Sequence, residues 1–175
     1  MINTHIPNNV IFAKNKFNMR KLVIFDLDGT LLYTLEDLMN SVNFTLDLFG
    51  YETCTLEEIS SYVGNGVQQL LVRALPRDID DKEFELCYAC FKDHYSKHCC
   101  EKTRPYDGIM EVLKVLKSRG IKVGIVSNKY QSAAEDVCEH YFDGLYDMVV
   151  GESEYCRKKP SSDGIDMIRD RFDIS

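Results

Sequence analysis

MRKLVIFDLDGTL, residues 19–31, is the stretch whose reading decides the fold. Lys21 to Leu27 is a short apolar run that ends in acids, the pattern of a strand buried on both faces of a parallel sheet. Ile121 to Ser127 and Tyr146 to Val150 repeat it. Helical periods fall between and after these runs. Ile109, Val112, Leu113 and Leu116 mark a helix that ends at Gly120. Ser132 to Tyr141 and Ser161 to Phe172 read as two more. Strand, helix, strand, helix, strand predicts an α/β class with a parallel, Rossmann-like sheet.

Residues 33–103 interrupt this alternation with a helical insert that carries no strand signal. Thr34 and Asp37 resemble a capping pair ahead of the stripe Leu35, Leu38, Met39, Val42, Leu46 and Phe49, which Gly50 ends. Thr55 and Glu58 repeat the capping signal, and Gly64-Asn65-Gly66 breaks the helix that follows. Val67, Leu70, Leu71 and Ala74 form a short stripe stopped by Pro76, and a longer helix covers Asp81 to His98. The core is thus expected over 19–32 and 104–175, and the insert over 33–103. Residues 1–18, rich in Asn and without periodicity, read as a disordered leader.

In such sheets ligands sit beyond the carboxyl ends of the strands. Asp26 and Asp28 end the first strand, Ser127 and Asn128 the second, and Lys158 and Lys159 lie in the loop after the third. These groups form a coherent chemistry. A carboxylate can attack phosphorus to form an acyl-phosphate. Attacker and ester are both anionic, so Mg²⁺ is the expected helper. A second acid two residues on can protonate the leaving oxygen and then deprotonate water. Gly29 gives the loop room to turn, and Thr30 can hydrogen-bond within it. The Ser127 hydroxyl and the Asn128 backbone N–H can hold phosphate oxygens near a helix start, and a lysine supplies a point charge. Each element alone has a bland reading as turn, cap or solvated loop; their order along one sheet gives them weight.

Composition bounds the alternatives. The net charge of −7 argues against nucleic acid or an anionic membrane as main partner. It does not count against a small phosphorylated metabolite, which feels only the field of its site. No secretory signal is visible near the start, and no run approaches the roughly 18 apolar residues of a membrane span. Seven cysteines, an odd number, read as free thiols in a reducing cytoplasm.

VIFDLDGTL (23–31), VGIVSNK (123–129) and KKP (158–160), in that order, resemble the haloacid dehalogenase superfamily. SYVGNGVQQLLVRAL (61–75) and the segment Thr103 to Lys129 are similar to its phosphoglycolate-phosphatase-like members. The resemblance implies an α/β core carrying a helical cap that closes over the site, and hydrolysis of a small phosphomonoester with Mg²⁺. It implies Asp26 as nucleophile, Asp28 as general acid/base with its backbone carbonyl on the metal, Ser127 as the phosphate-binding hydroxyl and Lys159 as the stabilising lysine. An acid at position 28 implies phosphatase rather than dehalogenase chemistry. Gly64 to Gly66 would form the substrate-facing loop of the cap, with Asn65 a candidate substrate contact. A sugar-phosphate mutase of the same superfamily shares this site chemistry.

Two departures stand out. Ser162 occupies the place of a second proline, which affects only loop shape. More seriously, relatives continue into a further strand ending in a Gly-Asp-Ser type motif whose Asp binds magnesium, and the given sequence stops at Ser175. That implies an exposed apolar edge beside the first strand, weak metal binding and little turnover, and it keeps a catalytically weak or inactive remnant as the rival reading. A second cluster, Cys87, Cys90, His94 and His98, falls on one helical stripe. Its ends would lie about 16 Å apart on a straight helix, too far to close a tetrahedron, so packing is expected there rather than zinc. Phe84, Tyr88, Phe91 and Tyr95 likewise read as packing residues.

Overall fold

The computed structural model describes residues 22–174; the expected leader lies outside them. Three strands, β1 (Leu22–Phe25), β4 (Lys122–Tyr130) and β5 (Met148–Glu152), form a sheet in the order β1-β4-β5, with both pairs parallel. The strand period of two sorts β4 between two faces. Val123 and Ile125 point into the main core, while Val126 joins Val150 and Ile168 in a smaller cluster on the other face. Helix α7 (Asp163–Arg171) seats on that second face. The approach is close: a methyl group at Gly164 would stand 2.8 Å from Val126 Cγ1. Helices α5 (Ile109–Ser118) and α6 (Gln131–Phe142) also pack on the sheet. β1 is an edge among the described residues, and its four residues are half-buried.

Four helices make up the insert: α1 (Leu35–Leu48), α2 (Leu56–Tyr62), α3 (Val67–Ala74) and α4 (Asp81–His98). α1 packs along α4, and polar contacts cross the seam, among them His94 Nδ1 with Ser41 Oγ at 3.0 Å and Tyr51 OH donating to Glu83 at 2.7 Å. α2 starts on the expected Thr55–Glu58 capping box. The Cys/His stripe of α4 lies within this packing: Cys87 is buried, and the His94 ring stacks on Phe44 at 4.1 Å and His98 at 4.3 Å.

The entry to the insert departs from the expected capping pair. The Thr34 side chain makes no cap hydrogen bond. Asp37 is buried, and its carboxylate accepts from the backbone N–H of Lys102 and Thr103 at 2.8–3.0 Å. The physical reason is that the returning chain brings two amides without backbone partners to that point, and a carboxylate satisfies both. Beside this clamp a short antiparallel ribbon, β2 (Leu32–Tyr33) with β3 (Arg104–Pro105), ties the two ends of the insert together. Among the described residues no helix is long and apolar enough to cross a membrane.

Candidate active site

The sheet ends deliver their side chains to one cavity of about 310 Å³ between core and insert. Asp26, Asp28 and Gly29 reach it from the loop after β1, Ser127 and Asn128 from the end of β4, and Lys159 from the loop after β5. Gly29 turns the first loop at φ +80°, where a side chain would be strained. Lys159 Nζ donates to one carboxylate oxygen of Asp26 and to the Val126 carbonyl at 3.1 Å. The other Asp26 oxygen makes no hydrogen bond among the described residues, and the Asp26 side chain is 43% exposed. Lys158 turns elsewhere, with Nζ 3.9 Å from Glu152. The loop that aims Lys159 is braced from outside by Arg157, which binds Asp163 through two side-chain N–H groups at 2.8 and 2.9 Å. Those bonds hold the Asp163 carboxyl well below the usual carboxylate range.

Asp28 is held from three sides. Thr34 Oγ1 donates to Oδ1 at 2.8 Å, Ser127 Oγ donates to Oδ2 at 3.2 Å, and Lys129 Nζ lies 3.2 Å from Oδ1. Lys129 is buried and also donates to the phenol oxygen of Tyr95 on α4, at 2.7 Å. Burial alone would lower the Lys129 pKa, but the Asp28 carboxylate and Tyr95 outweigh it and the net shift is upward. Burial raises the Tyr95 phenol, so it stays neutral.

Asn128 is placed differently from expectation. β4 continues through Tyr130 and α6 begins only at Gln131, so the backbone N–H of Asn128 lies in a strand and not at a helix start. Its side chain instead bridges core and insert. Nδ2 donates to the Gly64 carbonyl at 2.9 Å and to the Lys159 carbonyl at 3.3 Å, while Oδ1 accepts from the Lys159 N–H at 2.6 Å. Gly66 sits so close that a methyl group there would stand 3.2 Å from the Asn128 carbonyl oxygen, at a φ of +82° that side chains avoid. Asn65 is exposed and outside the cavity lining, because Gly64 and Gly66 on either side turn toward the core. Thr30 is also exposed and outside the lining; its N–H closes a turn onto the Leu27 carbonyl at 3.2 Å.

The donor set fits a hard divalent cation. Asp26 offers a carboxylate oxygen with no hydrogen bond among the described residues, Asp28 lines the same cavity with its two oxygens held by Thr34, Lys129 and Ser127, and among the described residues no third carboxylate, His or Cys joins them as a metal cluster. Mg²⁺ is held in this way elsewhere, by one or two carboxylates plus substrate phosphate and water, whereas zinc takes a closed set of N and S ligands.

Residues 23–175 match the family model of haloacid dehalogenase-like hydrolases. The chain belongs to this family. It is 33% identical over 142 residues to the phosphoglycolate phosphatase of Aquifex aeolicus, covering 81% of this chain and 65% of the relative. It is 32% identical over 147 residues to that of Thiobacillus denitrificans, covering 80% and 64%. The chain therefore spans just under two thirds of the length of these curated relatives. A crystal structure described as "a predicted phosphoglycolate phosphatase" from Haemophilus somnus superposes with a TM-score of 0.83 at 26% identity, over 89% of this chain and 72% of that one.

Three residues of this dehalogenase-like site carry no distinguishing signal in the sequence. Thr34 reads as a helix cap and serves Asp28 instead. Lys129 closes an apolar strand run, where a solvated lysine gives the same letter. Tyr95 does pack, stacked on Phe91 at 5.4 Å, yet its phenol oxygen is also the partner of Lys129.

Proposed function

We propose that this haloacid dehalogenase-like chain is a phosphoric monoester hydrolase acting through an aspartyl-phosphate on Asp26. The observation that carries the reading is the convergence of Asp26, Asp28, Ser127 and Lys159 on one cavity from three strand ends. The unbonded oxygen of Asp26 attacks phosphorus, the bond from phosphorus to the alcohol oxygen breaks, and Asp28 gives the departing oxygen a proton. Asp28 then takes a proton from water as that water attacks the phosphoaspartate, and inorganic phosphate leaves with Asp26 restored. Lys159 lies beside Asp26 and offsets charge on the transferring group. Ser127 and Thr34 fix the orientation of Asp28 between the two proton transfers. Asp26 and Asp28 would hold Mg²⁺, which when bound offsets the repulsion between carboxylate and phosphate. The Asn128–Gly64 contact places the cap loop against the floor, which limits water around the ester.

A small phosphorylated metabolite is the proposed substrate, and the names of the relatives make phosphoglycolate the first ester to test. Phosphate release by the purified chain with magnesium, compared with Asp26→Asn and Asp28→Asn, tests the reading. Release that depends on both carboxylates is expected; equal release by wild type and Asp26→Asn would overturn it.

A further inference from the structure

The floor of the cavity is charged and hydrogen-bonded, but its walls are not. Within the cap, α1 contributes Leu35 and Leu38, and the segment from the end of α2 into α3 contributes Val63, Val67 and Leu70. Tyr33 and Tyr106, also in the lining, meet edge to face with their centroids 6.1 Å apart. The hydroxyl of Ser60 is the one side-chain polar group that the cap helices add among the described lining residues.

Charge is distributed just as unevenly. Among the described lining residues the cations are Lys129 and Lys159, and both are engaged: Lys159 on Asp26, and Lys129 on Asp28 and Tyr95. No arginine and no third lysine lines the cavity among them. An ester whose phosphate occupies the floor must lay its alcohol half against the aliphatic wall. A second anionic group there would lose its water and meet no free cation among the described lining residues, only neutral hydroxyl-bearing side chains such as Ser60, Tyr33 and Tyr106. An uncharged apolar group would leave water for a wall of matching character, which is favourable in proportion to the area buried.

We infer that the site prefers phosphomonoesters whose alcohol half is uncharged and largely apolar, such as an aromatic alcohol, over esters that carry a second anion. This rests on the phosphate-ester reading of the floor and narrows it, because phosphoglycolate carries a carboxylate. The wall, not the nucleophile, is the specificity element.

The test uses equilibrium binding to the Asp26→Asn chain with magnesium, so that turnover does not enter. The probes are inorganic phosphate, phenyl phosphate and phosphoglycolate, followed by calorimetry. Phenyl phosphate is expected to bind at least about tenfold more tightly than phosphoglycolate. Ser60→Arg, at an exposed position of the lining, adds a cation beside the wall and is expected to narrow or reverse that ratio. Phosphoglycolate binding as tightly as phenyl phosphate, or a ratio unmoved by Ser60→Arg, would overturn the inference while leaving the hydrolase reading intact. Failure of all three probes to bind would instead sink the phosphate-ester reading and the inference with it.

Discussion

Replacing Lys159 with Met separates what this lysine does for chemistry from what it does for stability. Its side chain is 32% exposed and that of Asp26 43%, so solvent screens the pair in the resting protein. Such pairs contribute about 0–1 kcal/mol to folding, or at most a few degrees in melting temperature for a chain of this size. The ammonium also donates to the Val126 carbonyl at 3.1 Å, but the loop has other holds on its shape. Asn128 binds the Lys159 backbone, and the Arg157–Asp163 clamp holds the loop from outside. In the proposed reaction the same ammonium faces charge on the transferring phosphoryl group, and loss of one such donor costs roughly 10²–10³ in turnover, about 3–4 kcal/mol. Lys159→Met is therefore expected to melt almost like wild type while losing two to three orders of magnitude in turnover. Lys158→Met removes a cation that lies 3.9 Å from Glu152 and is expected to stay within about twofold of wild type. Steady-state phosphate release at saturating magnesium, with thermal melts of the same samples, reads both quantities. Equal losses for the two lysines, or a large drop in melting temperature for Lys159→Met, would refute the reasoning.

Three further outcomes follow from the geometry. Lys129→Met removes a fully buried cation but leaves Asp28, whose side chain is 30% exposed, with two hydroxyl donors. The loss should be about 2 kcal/mol, below the roughly 3–5 of a wholly buried pair, and the melting temperature should fall by about 4–8 °C; an unchanged melt would contradict this. Asn128→Asp keeps the acceptor for the Lys159 N–H but loses the donor to Gly64. Amide exchange over residues 64–67 should speed up while the strands keep their protection, and exchange at wild-type rates would exclude the bridge. Burial and the neighbouring His98 lower the His94 pKa against the opposing pull of Glu101 and Asp93. The unfolded chain then takes up that proton at higher pH than the native one, so this contribution to stability is full above the ordinary value of 6.5 and is lost as pH falls below it. His94→Gln should flatten that part of the acid limb in melts followed from about pH 7.5 to 5.5; an identical limb would rule the mechanism out.

The sheet was legible because each strand is a short apolar run bounded by turn or acidic residues, a pattern that exposed elements rarely produce. The α4 boundaries agree with the expected Asp81 to His98, and in the structure Asp80 caps the start, accepting from the Glu83 N–H at 2.8 Å. The β2–β3 ribbon was not, since two residues per strand carry no period. The third strand, Met148–Glu152, lies two residues beyond the apolar run Tyr146 to Val150. Asp147 is drawn off to Lys122 and the Val123 N–H, while Gly151 extends the strand where backbone atoms of Lys129 and Gln131 leave no room for a Cβ. At the site, the residues that follow the strand ends were readable because sheet topology alone sends them to one side. Lys129, Thr34 and Tyr95 were not, because their roles arise from contacts between the core and the insert, which neither segment reveals by itself. Asn65 is a candidate only through the likeness of its loop to a substrate-facing cap loop, and in the structure its glycine neighbours are what turn toward the core in its place.

Rapid acid quenching of the chain with magnesium and a radiolabelled phosphate ester reads the proposed intermediate itself. The account predicts label that stays on the protein after denaturation, is released by hydroxylamine as an acyl-phosphate should be, and is absent from Asp26→Asn. Label that persists in Asp26→Asn, or inorganic phosphate released without any labelled protein at the earliest times, would contradict it.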